Sequence, residues 1–133
     1  MTTEAEAAAN ALGGAIHARS KDQILAIYAD DMFVWHGNTA RAMGKEENAT
    51  LLGNLFAITS ELEYTNIKRY PIDGGVVQQH RLVGKFTDGN PIPSLEACLV
   101  IKVRDGLITS IEEYFDGSVF AEVWERLAEA ATA

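Results

Sequence analysis

The second half of the chain constrains the fold most. From Leu62 to Phe115 apolar residues recur at about every second position, and three turn signals break the pattern: Asp73-Gly74-Gly75, Thr87-Asp88-Gly89-Asn90 and Arg104-Asp105-Gly106. A period of two belongs to strands, whose side chains alternate between two faces. The spacing predicts strands over Leu62–Tyr70 (closed by Pro71), Val76–Phe86, Leu95–Arg104 and Leu107–Phe115. Connections this short join antiparallel neighbours. Such a meander has one apolar face, and something must cover it.

The first half supplies the cover. TEAEAAANALGGAIHAR is Ala-rich and helical in propensity, with Gly13-Gly14 weakening its middle. Ser20 and Gln23 have capping-box spacing ahead of Ile24, Leu25, Ile27 and Tyr28, and Asp30-Asp31 is expected to end this second helix. MFVWH, residues 32–36, reads as a strand, and GNTARAMG as a loop. Leu51, Leu52, Leu55 and Phe56 predict a helix from Lys45 to about Thr59, and Phe120, Val123, Trp124 and Leu127 a closing helix. The order is helix, helix, strand, helix, four strands, helix. That order implies an α+β fold: a strongly curved antiparallel sheet wrapped over about three helices, forming a cone with an apolar pocket.

Composition narrows the partners. With 133 residues, 47% of them hydrophobic, the chain is expected to form a single domain over 1–133. Eleven basic against nineteen acidic side chains leave a net charge of −8, which repels phosphate backbones, so neither nucleic acid nor an anionic membrane is an expected partner. Cys98 is alone, and MTTEAEAAANAL lacks the basic-then-apolar run of a secretion signal, so a cytoplasmic location is expected. The sequon Asn48-Ala49-Thr50 then has no glycosylation context, and Gly13-Gly14 lacks that of a phosphate-binding loop. Neither a metal nor a cofactor is expected, since no short-range ligand spacing accompanies His36 and His80.

Three segments, LAIYADDMFVWHG, MGKEENATLLGNLF and DGLITSIEEYFDGSVFAEV, resemble the SnoaL-like branch of the nuclear transport factor two-like superfamily. The resemblance runs from about residue 10 to 127. It implies the cone fold, a homodimer built on the outer sheet face, and cofactor-independent chemistry. The branch's wider family includes ketosteroid isomerases, polyketide cyclases, limonene epoxide hydrolases, dehydratases and non-catalytic binding modules. In the isomerases the proton-shuttling Asp lies five residues past the second Asp of YADD, and that position here is His36. Their two oxyanion donors fall near Leu12 and Leu99, neither of which can donate, while Tyr28 matches a supporting tyrosine. For the epoxide hydrolases, the last-strand Asp corresponds to Glu113, and the paired Arg and Asp fall near His80 and Leu82.

Strand alternation orders these positions. If Glu113 faces the pocket, so do Ile111 and Phe115; if Leu99 does, so does Ile101; and His80 shares its side with Val76, Gln78, Leu82 and Phe86. The expected ligand contacts are Leu12, Tyr28, Phe56, Leu82, Phe86, Leu99, Ile101, Ile111 and Phe115, and the expected catalytic groups His36, His80 and Glu113. His36 is assigned as base, with His80 and Glu113 as acid, orienter or donor. The function expected is acid/base proton transfer on a small hydrophobic carbonyl or phenolic molecule, of isomerase, cyclase or lyase type. The alternatives are a non-catalytic ligand-binding domain of the same fold, or epoxide hydrolysis. The plainer view is that both strand histidines are satisfied polar groups and that Glu112-Glu113 is a solvated pair. His17 is expected at the surface.

Overall fold

The computed structural model describes residues 3–132. Its elements are α1 (Glu4–Ala18), α2 (Lys21–Ile27), β1 (Tyr28–His36), β2 (Arg41–Gly44), α3 (Lys45–Ala57), β3 (Thr59–Ile72), β4 (Gly75–Phe86), β5 (Leu95–Arg104), β6 (Leu107–Phe115) and α4 (Ala121–Thr132). Among the described residues the six strands form one open sheet in the order β2-β1-β6-β5-β4-β3. The class is α+β, as the element order implied.

The meander β3–β6 pairs antiparallel throughout. Its tightest turn places both Asp105 (φ 55°) and Gly106 (φ 79°) in the left-handed region, the backbone that two-residue hairpins need to match strand twist. The register of β3 against β4 shifts between Thr59 and Glu61. Gly84 pairs with Leu62 just past that shift, where a β-carbon would collide with the Glu61 carbonyl oxygen. Only glycine admits this approach of the two backbones.

Three expectations are corrected. The sheet is mixed rather than antiparallel, because β1 lies parallel to β6. A parallel pair needs a long crossover, here everything from β2 to β5, so no local signal announces it. The segment expected as a loop contains β2, an edge strand paired with β1 through Phe33↔Gly44 to His36↔Arg41. Arg41-Ala42-Met43-Gly44 has neither branched nor aromatic residues, so pairing with β1 decides its conformation. Finally, α2 stops at Ile27, and Asp30 and Asp31 lie within β1. Among the described residues there are four helices, the number in the predicted element order.

Helix α1 closes one side of the cone. Thr3 caps it by accepting from the Glu6 amide at 3.0 Å, and Ala5, Ala8, Ala9, Leu12, Ala15 and Ile16 form its buried stripe. The small alanines let the helix lie close against β3, β4 and β5. Arg19 ends it in the left-handed region, and its guanidinium donates to Thr59 O at 2.7 Å, tying α1 to the start of β3. Ser20 accepts from the Gln23 amide at 3.2 Å, one arm of the predicted capping box.

Candidate active site

Register builds the site. His36 ends β1 and stands beside Glu113 of β6 in the parallel pairing; Glu113 stands beside Leu99 of β5. Gly37 N donates to Glu113 O at 2.8 Å and fixes that end of the pair. His36 Nε2 and Glu113 Oε1 are 3.9 Å apart, too far for a direct hydrogen bond. His36 is 8% exposed, and its Nδ1 is buried with no hydrogen-bond partner. Its ring meets Phe115 edge-on, with centroids 6.3 Å apart.

These groups face a cavity whose unfilled space, open mouth included, is about 800 Å³. One wall comes from α1 and β1 through Leu12, Ile16, Tyr28 and Val34. A second comes from α3, through Asn48, Leu51, Leu52 and Leu55. The sheet adds Leu62, Tyr64, Leu82, Leu99 and Ile111, and α4 lays Trp124 and Leu127 on the space. Apart from His36 and Glu113, the polar side chains in this lining are Tyr28 and Tyr64 with their hydroxyls, Asn48 with its amide and Trp124 with its indole N–H. Tyr28 donates to Asn48 Oδ1 at 2.8 Å.

The apolar wall sets the electrostatics. Desolvation pushes the Glu113 carboxyl up to about 7, because its charged form finds little water there. The same cause lowers His36, so the imidazole is neutral near pH 7. Burial, and then the nearby charge of Glu113, raise both the Tyr28 and Tyr64 phenols, which therefore stay protonated.

Of the expected ligand contacts, Leu12, Tyr28, Leu82, Leu99, Ile111 and Phe115 line this cavity. Phe56, Phe86 and Ile101 do not: each is buried in the core, and Phe86 packs under the Arg126 guanidinium, 3.7 Å from its ring centre. Sequence alternation gives the face of a strand but not how far along the cone a residue lies. His80 is corrected for the same reason. It is on the inward face of β4, yet outside the lining of this cavity. Its Nδ1 is 2.9 Å from Gln78 Nε2, and the Tyr64 ring stacks on it with centroids 3.7 Å apart, so Tyr64 takes its place in the wall. His17 is at the surface, as expected. Cys98 is half-buried on the face opposite Leu99. Among the described residues no group of three or more His, Cys, Asp or Glu side chains is placed to hold a metal ion.

Asn48 is the residue that sequence reasoning passed over. Asn48, Leu51, Leu52 and Leu55 have the spacing i, i+3, i+4, i+7 of one helix face. A polar amide on an otherwise apolar stripe was the available signal.

The profile of the SnoaL-like domain matches residues 9–111. The chain belongs to the SnoaL-like domain family. Solved structures with the same fold include an epoxide hydrolase of the limonene-epoxide-hydrolase-like type from M. tuberculosis, 23% identical over 98% of this chain and 96% of that one, with a TM-score of 0.72. Another is a candidate polyketide cyclase from Pseudomonas putida, 17% identical over 92% and 98% of the two chains, TM-score 0.74. A third, from Catenulispora acidiphila, has a ketosteroid isomerase-like fold and was solved with trimethylamine; it is 17% identical over 85% and 88%, TM-score 0.72. Comparison with curated proteins gives no match. At these identities the SnoaL-like likeness establishes the cone and leaves the reaction to the site itself.

Proposed function

We propose that this SnoaL-like domain is a cofactor-independent enzyme that moves a proton on a small, largely apolar carbonyl or phenolic compound, with Glu113 as proton acceptor and His36 as its partner. The observation that carries this reading is the Glu113 carboxyl, desolvated to about 7 beside a neutral imidazole within an apolar cavity. A carboxylate with little water and no hydrogen bond from the described residues is a far stronger base than one in solvent.

The division of roles follows from the orphaned nitrogen. A buried N–H without an acceptor costs more than a bare ring nitrogen without a donor, so the proton of neutral His36 belongs on Nε2, the atom facing Glu113. The imidazole is then a donor and Glu113 the acceptor, which reverses the roles expected from the sequence. Glu113 takes a proton from the carbon next to a carbonyl, and the electron pair left behind becomes an enolate. Return of the proton to another carbon is isomerisation; attack of the carbanion carbon on a second carbonyl, whose oxygen takes the proton, is cyclisation; loss of a β-hydroxyl as water, with the same proton, is a lyase reaction. Turnover of ketones and phenols by wild type and by Glu113→Gln tests the reading, and equal rates would sink it.

A second reading rests on the 3.9 Å separation. One oxygen can lie about 2.8 Å from both atoms at once, to the side of the line joining them. A water held there can give a proton to Glu113 as its oxygen attacks an epoxide carbon; the C–O bond breaks, and the resulting alkoxide takes that proton back from Glu113 to give a diol. Incorporation of labelled water oxygen into product separates hydrolysis from proton transfer. A homodimer is proposed on the outer sheet face, where Phe33 and Tyr114 are exposed and Trp35 packs against Tyr114 at 5.5 Å. Sedimentation of wild type against Tyr114→Lys checks it.

A further inference from the structure

Among the cavity's other polar groups, the Asn48 amide combines one engaged atom with one unused one. Asn48 is 3% exposed, on the wall that α3 presents, and its three lining neighbours on that helix are leucines. Its Oδ1 already accepts from Tyr28. An amide side chain also carries two N–H donors, and no described residue accepts from Asn48 Nδ2. The nitrogen is not among the sealed-off atoms, and Asn48 is part of the cavity wall. Amide donors facing an apolar space remain unsatisfied until something with an acceptor enters.

We propose that Asn48 Nδ2 is the hydrogen-bond donor for the substrate's oxygen, and that Tyr28 is a positioning residue that holds the amide the right way round. The ligand class is thereby narrowed to molecules with an acceptor oxygen, a ketone above all, on an apolar ring framework. Tyr28 has a single proton, and giving it to Oδ1 turns the amide so that Nδ2 takes the opposite arm. The charge of Glu113 reaches the Tyr28 phenol, which places the amide and the carboxylate in one neighbourhood. For catalysis the inference rests on the proton-transfer reading: as Glu113 removes a proton, negative charge grows on the carbonyl oxygen, where a fixed N–H strengthens its bond. This supplies a donor that the family positions, Leu12 and Leu99, cannot provide.

The test uses 1-tetralone, a bicyclic ketone labelled with ¹³C at its carbonyl, and tetralin, the corresponding hydrocarbon without oxygen. Binding of each is measured to wild type, Asn48→Leu, Asn48→Asp and Tyr28→Phe. In Asn48→Leu the ratio of ketone to hydrocarbon affinity is expected to fall about two- to tenfold, the range of one neutral hydrogen bond. The bound carbonyl resonance should move upfield from its wild-type position as that bond is lost. Asn48→Asp keeps the acceptor for Tyr28 and replaces the donor by an oxygen, so it should lose more ketone affinity than Asn48→Leu. Tyr28→Phe should fall between wild type and Asn48→Leu on both readouts. Ketone binding and a carbonyl resonance unchanged in both Asn48 variants would overturn the proposal, as would failure of wild type to bind the ketone. Exchange of the ketone's α-protons in D₂O is followed in the same samples. Asn48 effects without any exchange overturn the proton-transfer reading alone; exchange that depends on Glu113, with no Asn48 effect, overturns Asn48 alone.

Discussion

Two histidines on the inner face of the sheet show how differently one side chain can be treated. His80 belongs to a network in which every sealed side-chain polar atom has a partner. Gln78, fully buried, binds it at 2.9 Å and accepts from Arg69 Nε at 2.9 Å; Arg69 in turn donates to Asn10 of α1 at 2.6 Å. Burial pushes His80 down to about 4, so it stays neutral at ordinary pH with a defined tautomer. His36 has an orphaned Nδ1, and the carboxylate facing it stands beyond hydrogen-bond distance. A satisfied network specifies structure, whereas an incomplete one inside a cavity is what a ligand completes. The contrast is the ground on which His36, rather than His80, is proposed for the site.

The largest effect should come from the carboxylate. Glu113→Gln keeps the shape and removes the base, and loss of about 10²–10⁴ in turnover is expected on any ketone found to react. His80→Gln, measured on folded protein, should stay within a few-fold of wild type. Comparable losses in the two variants would erase the distinction between the neighbourhoods.

Stability against pH sharpens the same comparison with opposite signs. Glu113 is raised from 4.5 to about 7 in the folded state, so the folded chain binds more protons over that window and loses stability as pH rises through it. Glu113→Gln removes this loss, and the variant should gain about 2–3 kcal/mol on wild type between pH 4 and pH 8, read from urea melts. His80 is lowered from 6.5 to about 4, so the unfolded chain binds more protons there, and stability falls as pH drops through that window. Its replacement by Gln should flatten the acid side only.

Removing partners separates the two regions further. Gln78→Leu leaves Arg69 Nε without its acceptor and is expected to cost about 1–3 kcal/mol in a urea melt. The smallest effect belongs to His36→Leu, which deletes an atom that already lacks a partner. Its stability should change by less than about 1 kcal/mol, with any change favourable, while activity falls. A large destabilisation by His36→Leu would show that the imidazole holds the structure together after all.

Much of this was legible before any coordinates. β5 and β6 lie at the predicted bounds, α1 follows from its Ala-rich propensity, and the α3 leucines and the Ser20 cap follow from spacing. Of the site, His36 and Glu113 came from the family likeness, and strand alternation put Ile111 and Phe115 on the same side as Glu113. Alternation failed at His80, Phe86 and Ile101, because a face says nothing about depth. It could not reach Asn48 either, since that residue meets Tyr28 only when α3 packs beside β1.

The division has a simple physical origin. Periodicity, caps and turns act over a few residues, so the sequence by itself determined the helices, the meander and its turns, and an apolar inner face on an acidic chain. The parallel pairing of β1 with β6 joins residues more than seventy positions apart, and its register belongs to the packed chain as a whole. Tertiary structure alone decided that His36 stands beside Glu113 without touching it, that Tyr64 takes the place expected for His80, and that Asn48 meets Tyr28 in the cavity wall. Desolvation depends on all the walls at once, and no stretch of sequence contains more than one of them.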